Sequence, residues 1–329
     1  MKFPISWLNK YYVQIITLFI QKKLHPILLF KSTYNIGIPK LIYELSCFIL
    51  CIKKKNFNYC NVCSSCIFMK SKKHPDFYII EEKKKKNIGI DFIRDIIIKI
   101  YSTAQQSNEK ILWFTNILKL TKEAINTLLK TFEEPPKNTF FFLYTSNTEN
   151  IQKTLLSRMI IYNISGIKEK NALLWLKKKN KKKNFSQKNL ITILRLYNSS
   201  PFSANFFLNN IIFEQRIKII KIFKNYLFYK KNLLLINAFK YIYNPDVIFW
   251  ICFILLDAIK LISKKKIKIQ NIDQILFLKK IAKKYSYRIL YKILTSWLKC
   301  NYHIHNIPGI NKEIFIIEQV LYTTLLIKN

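Results

Sequence analysis

Two hydrophobic rhythms divide this chain. Over roughly the first 160 residues, short solid apolar runs alternate with stretches in which apolar positions return every three or four residues. Ile27–Phe30, Phe77–Ile80, Ile111–Phe114 and Phe140–Tyr144 are runs of the kind that form strands buried on both faces. Between them lie helical patterns. Residues 1–24 read as a short helix through Trp7, Leu8, Tyr12, Ile15, Ile16, Phe19 and Ile20, stopped by His25 and Pro26. After a loop at 31–39, the spacing predicts helices over Lys40–Cys51, Asp91–Tyr101 and Lys122–Phe132, the last ended by Glu133, Glu134, Pro135 and Pro136. Strands alternating with helices predict an α/β layer around a largely parallel sheet.

From about Ser165 the strand rhythm fades. Helical spacing runs through Lys168–Lys178, Gln187–Tyr197, Ala204–Leu208, Glu214–Tyr229, Leu233–Tyr243, Val247–Ser263, Ile272–Lys284, Tyr287–Asn301 and Lys312–Leu326, with no internal repeat. The second half is expected to be all-helical. Its longest apolar run, Val247–Leu256, stops at Asp257, well short of the ~20 residues that span a bilayer. The N-terminus shows no basic segment followed by an apolar block and a small-residue cleavage site, which points to a cytoplasmic protein.

Composition changes this picture in one respect. The 329 residues carry 56 Lys+Arg against 18 Asp+Glu, a formal charge of +38, which raises the question of nucleic acid. Only five of the basic residues are arginine: Arg94, Arg158, Arg195, Arg216 and Arg288. Lys, Asn, Ile, Phe and Tyr all have A/T-rich codons, so a compositional drift inflates them together. Lys83–Lys86, Lys177–Lys179, Lys181–Lys183 and Lys264–Lys266 then read as solvated surface rather than a dedicated DNA track. Base readers also favour the bidentate arginine fork that is scarce here.

Four of the seven cysteines, Cys51, Cys60, Cys63 and Cys66, follow the spacing C-x8-C-x2-C-x2-C. Four thiolates gathered by tight turns complete a tetrahedral shell, so the expected role is structural zinc, with no open position for catalysis. Cys47, Cys252 and Cys300 lie in apolar helical runs and read as core residues. His25, His74, His303 and His305 share no metal spacing with the cysteines.

The segment after Ile27–Phe30 stands where an α/β NTPase carries its phosphate loop. That loop needs glycines, a lysine for the β/γ-phosphates and a hydroxyl for Mg²⁺. Here Ser32, Thr33, Tyr34, Asn35, Ile36, Gly37, Ile38 and Pro39 keep only the last glycine. Ile38 holds the lysine position and Pro39 the hydroxyl position, where it also removes an N–H from the helix start. The strand Ile111–Phe114 ends in Thr115 and Asn116, with no carboxylate before Glu123 to hold Mg²⁺. No ATP binding or hydrolysis is expected of this chain.

These residues resemble the delta-prime family of the bacterial DNA polymerase III clamp loader, within the AAA+ superfamily. The likeness runs through Trp7 and Leu8, the four-cysteine insertion, His74-Pro75-Asp76, Asn126–Pro136, Phe140–Thr145, Leu155–Arg158 and Gly309–Glu313. The resemblance implies an α/β RecA-like AAA+ domain with a degenerate loop and a zinc module at 51–66 (residues 1–165), a helical lid (166–207) and a helical collar for oligomerisation (208–329). It implies a subunit without ATPase activity that sits in a hetero-oligomeric ring with gamma/tau-type motor subunits and a delta-type clamp-opening subunit, and meets the sliding clamp and primed DNA through that complex. It also implies that Arg158, after Ser157, reaches a neighbour's ATP in trans as an arginine finger. Two departures stand out: Met159 replaces the usual cysteine after Arg158, and Phe202 in Ser199–Phe202 replaces a small residue of the lid. Glu133 and Glu134 are expected to cap or face an interface rather than catalyse. The competing readings are an active loader ATPase, which would bind ATP, and a stand-alone basic zinc protein, which would bind DNA as a monomer.

Overall fold

The computed structural model describes residues 5–32, 35–81, 87–180, 185–209, 211–229, 232–241, 246–263, 267–307, 309 and 311–328. The chain divides into two compact units, Met1–Asn171 and Ala172–Asn329.

In the first unit five parallel strands lie in the order β2-β3-β4-β1-β5. They are β1 (Ile27–Lys31), β2 (Phe77–Ile80), β3 (Lys110–Phe114), β4 (Thr139–Thr145) and β5 (Ile160–Asn163). This is the α/β layer around a parallel sheet that the alternating pattern predicts. The helices are α1 (Asn9–Ile20), α2 (Ile38–Leu50), α3 (Ser64–Lys70), α4 (Ile90–Tyr101), α5 (Lys122–Glu133) and α6 (Lys153–Leu156). The central strands are apolar on both faces because both are covered. Ile27, Leu29, Leu112, Phe114, Phe141 and Leu143 share a core with Ile93, Ile96 and Ile100 of α4 and with Ala124, Leu128 and Phe132 of α5. Elsewhere Phe19 of α1 meets Phe48 of α2 and Phe140 of β4 edge-on, at 6.3 and 5.6 Å between ring centroids.

Local chemistry sets the element ends. Gly37 takes φ 95°, a left-handed conformation that glycine adopts without penalty, and caps α2. Pro39 lies in the first turn, where its missing N–H costs nothing. The helix therefore starts at Ile38, two residues ahead of the sequence expectation. Lys110 is buried, and its Nζ donates to the carbonyls of Lys99 and Ser102, putting a cation on the C-terminal end of α4. The strand β5, absent from the sequence expectation, forms by pairing Leu28–Lys31 of β1 with Ile160–Asn163.

The second unit is helical among its described residues. Its elements are α7 (Glu169–Lys179, which begins in the first unit), α8 (Gln187–Leu196), α9 (Pro201–Asn209), α10 (Ile212–Tyr229), α11 (Asn232–Tyr241), α12 (Val247–Ile262), α13 (Ile275–Lys284), α14 (Tyr287–Asn306) and α15 (Lys312–Lys328). The apolar run at Val247–Leu256 belongs to α12, which packs against α10, α13 and α14 as the central helix of this bundle. No helix among the described residues is long and apolar enough to cross a membrane. A polar knot lies beside α12. Asp257 is fully buried and accepts from Gln270 N, from Asn271 N and Nδ2 and from Lys260 Nζ, at 2.8 to 3.1 Å. Arg216, also fully buried, spans Asp273 at 2.8 and 3.2 Å and Asn271 Oδ1 at 2.8 Å. The planar guanidinium grips the carboxylate with two parallel N–H groups and still reaches the amide oxygen, a bidentate geometry that a lysine point charge does not offer.

Candidate functional site

In a parallel α/β sheet the chemistry gathers at the carboxyl ends of the strands. Here several of the described residues along that edge hydrogen-bond among themselves. Ile36 and Ile38 are buried, and the Ile36 carbonyl accepts from the indole of Trp7 at 3.0 Å. Ser32 N donates to Thr145 O at 3.1 Å, and the Tyr144 hydroxyl donates to Ser32 O at 3.3 Å. The Lys31 ammonium, at the end of β1, is held by Thr148 Oγ1 at 2.9 Å. After β3, Thr115 Oγ1 donates to Ile80 O, and Asn116 Oδ1 accepts the N–H of Leu118. Ser32, Asn35, Gly37, Ile38 and Pro39 lie in the short connection from β1 into the first turn of α2, in which the Ser32 N–H and carbonyl and the Ile36 carbonyl are hydrogen-bonded within the protein. Thr33 and Tyr34 lie outside the described residues.

The cysteine group comes together as the spacing predicts. Cys51 leaves α2 as its extended C-terminal cap, and Cys63 is the N-cap of α3, with its sulfur accepting from Cys66 N. The Sγ atoms of Cys51, Cys60, Cys63 and Cys66 all lie within 4.8 Å of one another. Measured pairs are 3.6 Å (Cys51–Cys60), 3.9 Å (Cys51–Cys63) and 3.8 Å (Cys60–Cys66). A tetrahedral ion about 2.3 Å from each sulfur sets them about 3.8 Å apart, so the group can hold a metal ion. Backbone N–H groups of Cys60, Cys63 and Cys66 point at the sulfurs of Cys51, Cys60 and Cys63, at 3.3, 3.3 and 3.5 Å. Burial acts to push the Cys63 thiol up, but N–H donors outweigh it and bring its pKa down to about 6. Burial dominates at Cys51 and Cys66 and pushes both thiols up. N–H donors favour the thiolate at Cys60 as well as at Cys63, whereas four thiolates together require a cation among them. Cys47, Cys252 and Cys300 are buried, as expected of core residues.

The module is tied down by hydroxyls that the spacing did not reveal. Tyr12 donates to Phe57 O, Tyr43 to Met69 O and Tyr59 to Glu44 Oε2, at 3.2, 3.0 and 2.9 Å. His74-Pro75-Asp76 joins it to the sheet. Asp76 N donates to His74 Nδ1, leaving Nε2–H to donate to Ser65 Oγ at 2.8 Å, and Ser65 donates on to Leu50 O. The Asp76 carboxylate is buried and accepts the N–H groups of Gln105, Gln106 and Ser107 at 2.8, 2.9 and 3.1 Å. Burial alone would raise its pKa, and these three donors bring it below the usual carboxylate range.

Arg158 follows α6 and precedes the edge strand β5. Its side chain is 31% exposed, with one terminal nitrogen on Thr154 O at 2.6 Å and the other on Glu133 Oε1. Glu133 thus acquires a specific partner, 25 residues away in the chain. Met159, the next residue, lies in the core shared by α4, α5 and the sheet. In the second unit Phe202 packs on Trp175 with ring centroids 4.9 Å apart, at the start of α9. Lys177–Lys179 are exposed in the last turn of α7, whereas Lys83–Lys86, Lys181–Lys183 and Lys264–Lys266 lie outside the described residues.

The chain matches the family described as DNA polymerase III, delta subunit, over residues 8–168, and DNA polymerase III, delta subunit, C terminal, over residues 212–324. It is 38% identical to the DNA polymerase III subunit delta' of Buchnera aphidicola subsp. Schizaphis graminum, covering 96% of this chain and 95% of that one. It is 28% identical to the protein of that name from Escherichia coli, covering 96% and 93%. Among solved structures it is similar to a DNA polymerase III, gamma subunit-related protein from Thermotoga maritima, at TM-score 0.47 and 16% identity over 95% of this chain and 99% of that one. The two family matches and full-length relatives of this identity make the chain a member of the delta-prime family of the DNA polymerase III clamp loader.

Proposed function

We propose that this chain is an ATPase-inactive stator of the clamp-loader ring, in the cytoplasm, and that it supplies Arg158 in trans to the ATP site of a gamma/tau-type motor subunit. The observation that carries the reading is the pairing, within one unit, of a phosphate loop with Ile38 and Pro39 at the lysine and hydroxyl positions and a half-buried arginine beside an edge strand. A guanidinium brought to the γ-phosphate neutralises charge that develops during phosphoryl transfer. On this reading residues 1–165 form the AAA+ domain, 166–207 the lid and 208–329 the collar, and a delta-type subunit lies on the other side in the ring. The sliding clamp and primed DNA are met through the assembled complex. The metal of Cys51, Cys60, Cys63 and Cys66 is structural zinc, for which four buried or half-buried sulfurs are the suited donor set. It would tie α2 to α3 and take no part in catalysis.

The test is ATP turnover by a loader reconstituted from motor, delta-type and this subunit, with clamp and primed DNA, comparing wild type with Arg158→Ala. At the motor site this chain serves, turnover should fall by about 10³-fold or more, with the ring still assembled. Unchanged turnover in an intact ring would reduce Arg158 to an interface residue.

A further inference from the structure

We infer that Glu133 is a positioning residue for Arg158: its carboxylate holds the guanidinium on its own chain and so raises the ATP concentration at which a neighbouring motor site can draw the arginine onto the γ-phosphate. This rests on the in-trans role proposed above for Arg158.

First, the guanidinium is not loose, since one terminal nitrogen donates to Glu133 Oε1 and the other to Thr154 O. Second, the backbones on both sides are anchored in one core. Phe132, next to Glu133, is buried and meets Phe141 edge-on at 5.0 Å, while Leu155 and Met159 flank Arg158 in that same core. Only the side chains are free to change partner.

Third, Glu133 is the last residue of α5, followed by Glu134, Pro135 and Pro136. Two carboxylates at the negative end of a helix dipole are poorly placed for stability, and a cation on one of them offsets that. The prolines prevent the helix from extending and rearranging this end. Fourth, both partners are reachable: Glu133 is 52% exposed and Arg158 is 31% exposed.

The pair leaves part of the guanidinium available. Of its five N–H groups, the contacts to Glu133 and Thr154 engage one on each terminal nitrogen. An incoming phosphate can therefore make its first contact before the carboxylate is released, and the carboxylate then repels it. An ion pair this exposed biases a side chain by only about two- to fivefold, so Glu133 sets a threshold rather than a block.

The experiment uses the complete reconstituted loader and four forms of this subunit: wild type, Glu133→Gln, Arg158→Ala and the double variant. Glutamine keeps the size and removes the charge. The inference expects Glu133→Gln to lower the half-saturating ATP concentration two- to fivefold without lowering saturated turnover. It also expects the double variant to match Arg158→Ala alone. Glu133→Gln leaving half-saturation unchanged or raising it, while Arg158→Ala is severely impaired, overturns the inference and leaves the finger standing. A purely structural role for Glu133 would lower saturated turnover instead, and that result also overturns it. An Arg158→Ala subunit that supports full turnover removes the finger, and this inference falls with it.

Discussion

Removing the metal from the cysteine group should unfold one segment and spare the sheet it hangs from. The structure gives the magnitudes. Between Cys51 and Met69 the chain buries little besides sulfur, since Ile52, Phe57, Val62, Ile67 and Phe68 are all exposed. Ordering about fifteen such residues costs about 1–2 kcal/mol each in backbone entropy. Against this stand the tyrosine hydroxyls of Tyr12, Tyr43 and Tyr59, which at about 0.5–1.5 kcal/mol apiece contribute only about 2–4 kcal/mol. A structural zinc ion contributes about 10–16 kcal/mol, several times what the hydroxyls supply. Freshly purified protein should therefore contain one zinc per chain by elemental analysis. On chelation, amides in 52–68 should exchange at nearly the rate of an unfolded chain, while those of β1 and β4 stay protected. Cys63→Ser should behave likewise. Serine can still accept the Cys66 N–H as an N-cap, so the variant separates metal binding from helix capping. Protein lacking metal as isolated, or protection at 52–68 indifferent to chelation, would refute the reasoning.

Two further outcomes follow from buried charge. Asp76→Asn should cost about 1.5–3 kcal/mol at pH 7, because the Gln105, Gln106 and Ser107 donors lose an anionic acceptor. The Asp76 pKa is lowered in the folded state, so its contribution is full above the unfolded value of about 3.9 and is lost as pH falls through the lower folded value. Urea titrations at pH 7 and near pH 3 should show the gap between wild type and variant closing, and a constant gap would count against the assignment. Arg216→Met should cost about 3–5 kcal/mol, since it leaves the nearly buried Asp273 carboxylate without its cation. A loss below about 1 kcal/mol in urea unfolding would show that this pair does not hold the bundle.

The scarcity of arginine gains meaning from where four of the five lie. Arg216 bridges three buried oxygens, Arg195 donates to Ile269 O, and Arg158 joins a carboxylate and a carbonyl. Arg216 and Arg158 each use both terminal nitrogens of the planar fork, a geometry that a lysine does not reproduce. Arg94 instead makes an exposed pair with Asp91, where a point charge would serve as well.

What the sequence determined was local. Solid apolar runs marked β1 to β4 to within about a residue. In β1, β3 and β4 this is because a strand covered on both faces must be apolar throughout, whereas β2, at the sheet edge, is only partly covered and leaves Ile79 exposed. The C-x8-C-x2-C-x2-C spacing marked the sulfur cluster, because short turns can deliver sulfurs only to one point. The missing lysine, hydroxyl and carboxylate were legible because a nucleotide site needs those residue types at set positions along the chain. What only the tertiary structure decided is everything that joins distant residues. The strand β5 reads exposed, exposed, buried, exposed, and carries no rhythm of its own; pairing with β1 makes it a strand. Pro39 looks like a loop residue until Gly37 turns the chain and places it in a first helical turn. The carboxylates of Asp76 and Asp257 are anchors because chain segments far along the sequence present their N–H groups to them. Glu133 is Arg158's partner because α5 and the segment before β5 rest on one core. Periodicity reports which face of an element is buried, but only register and packing decide which groups meet across that face.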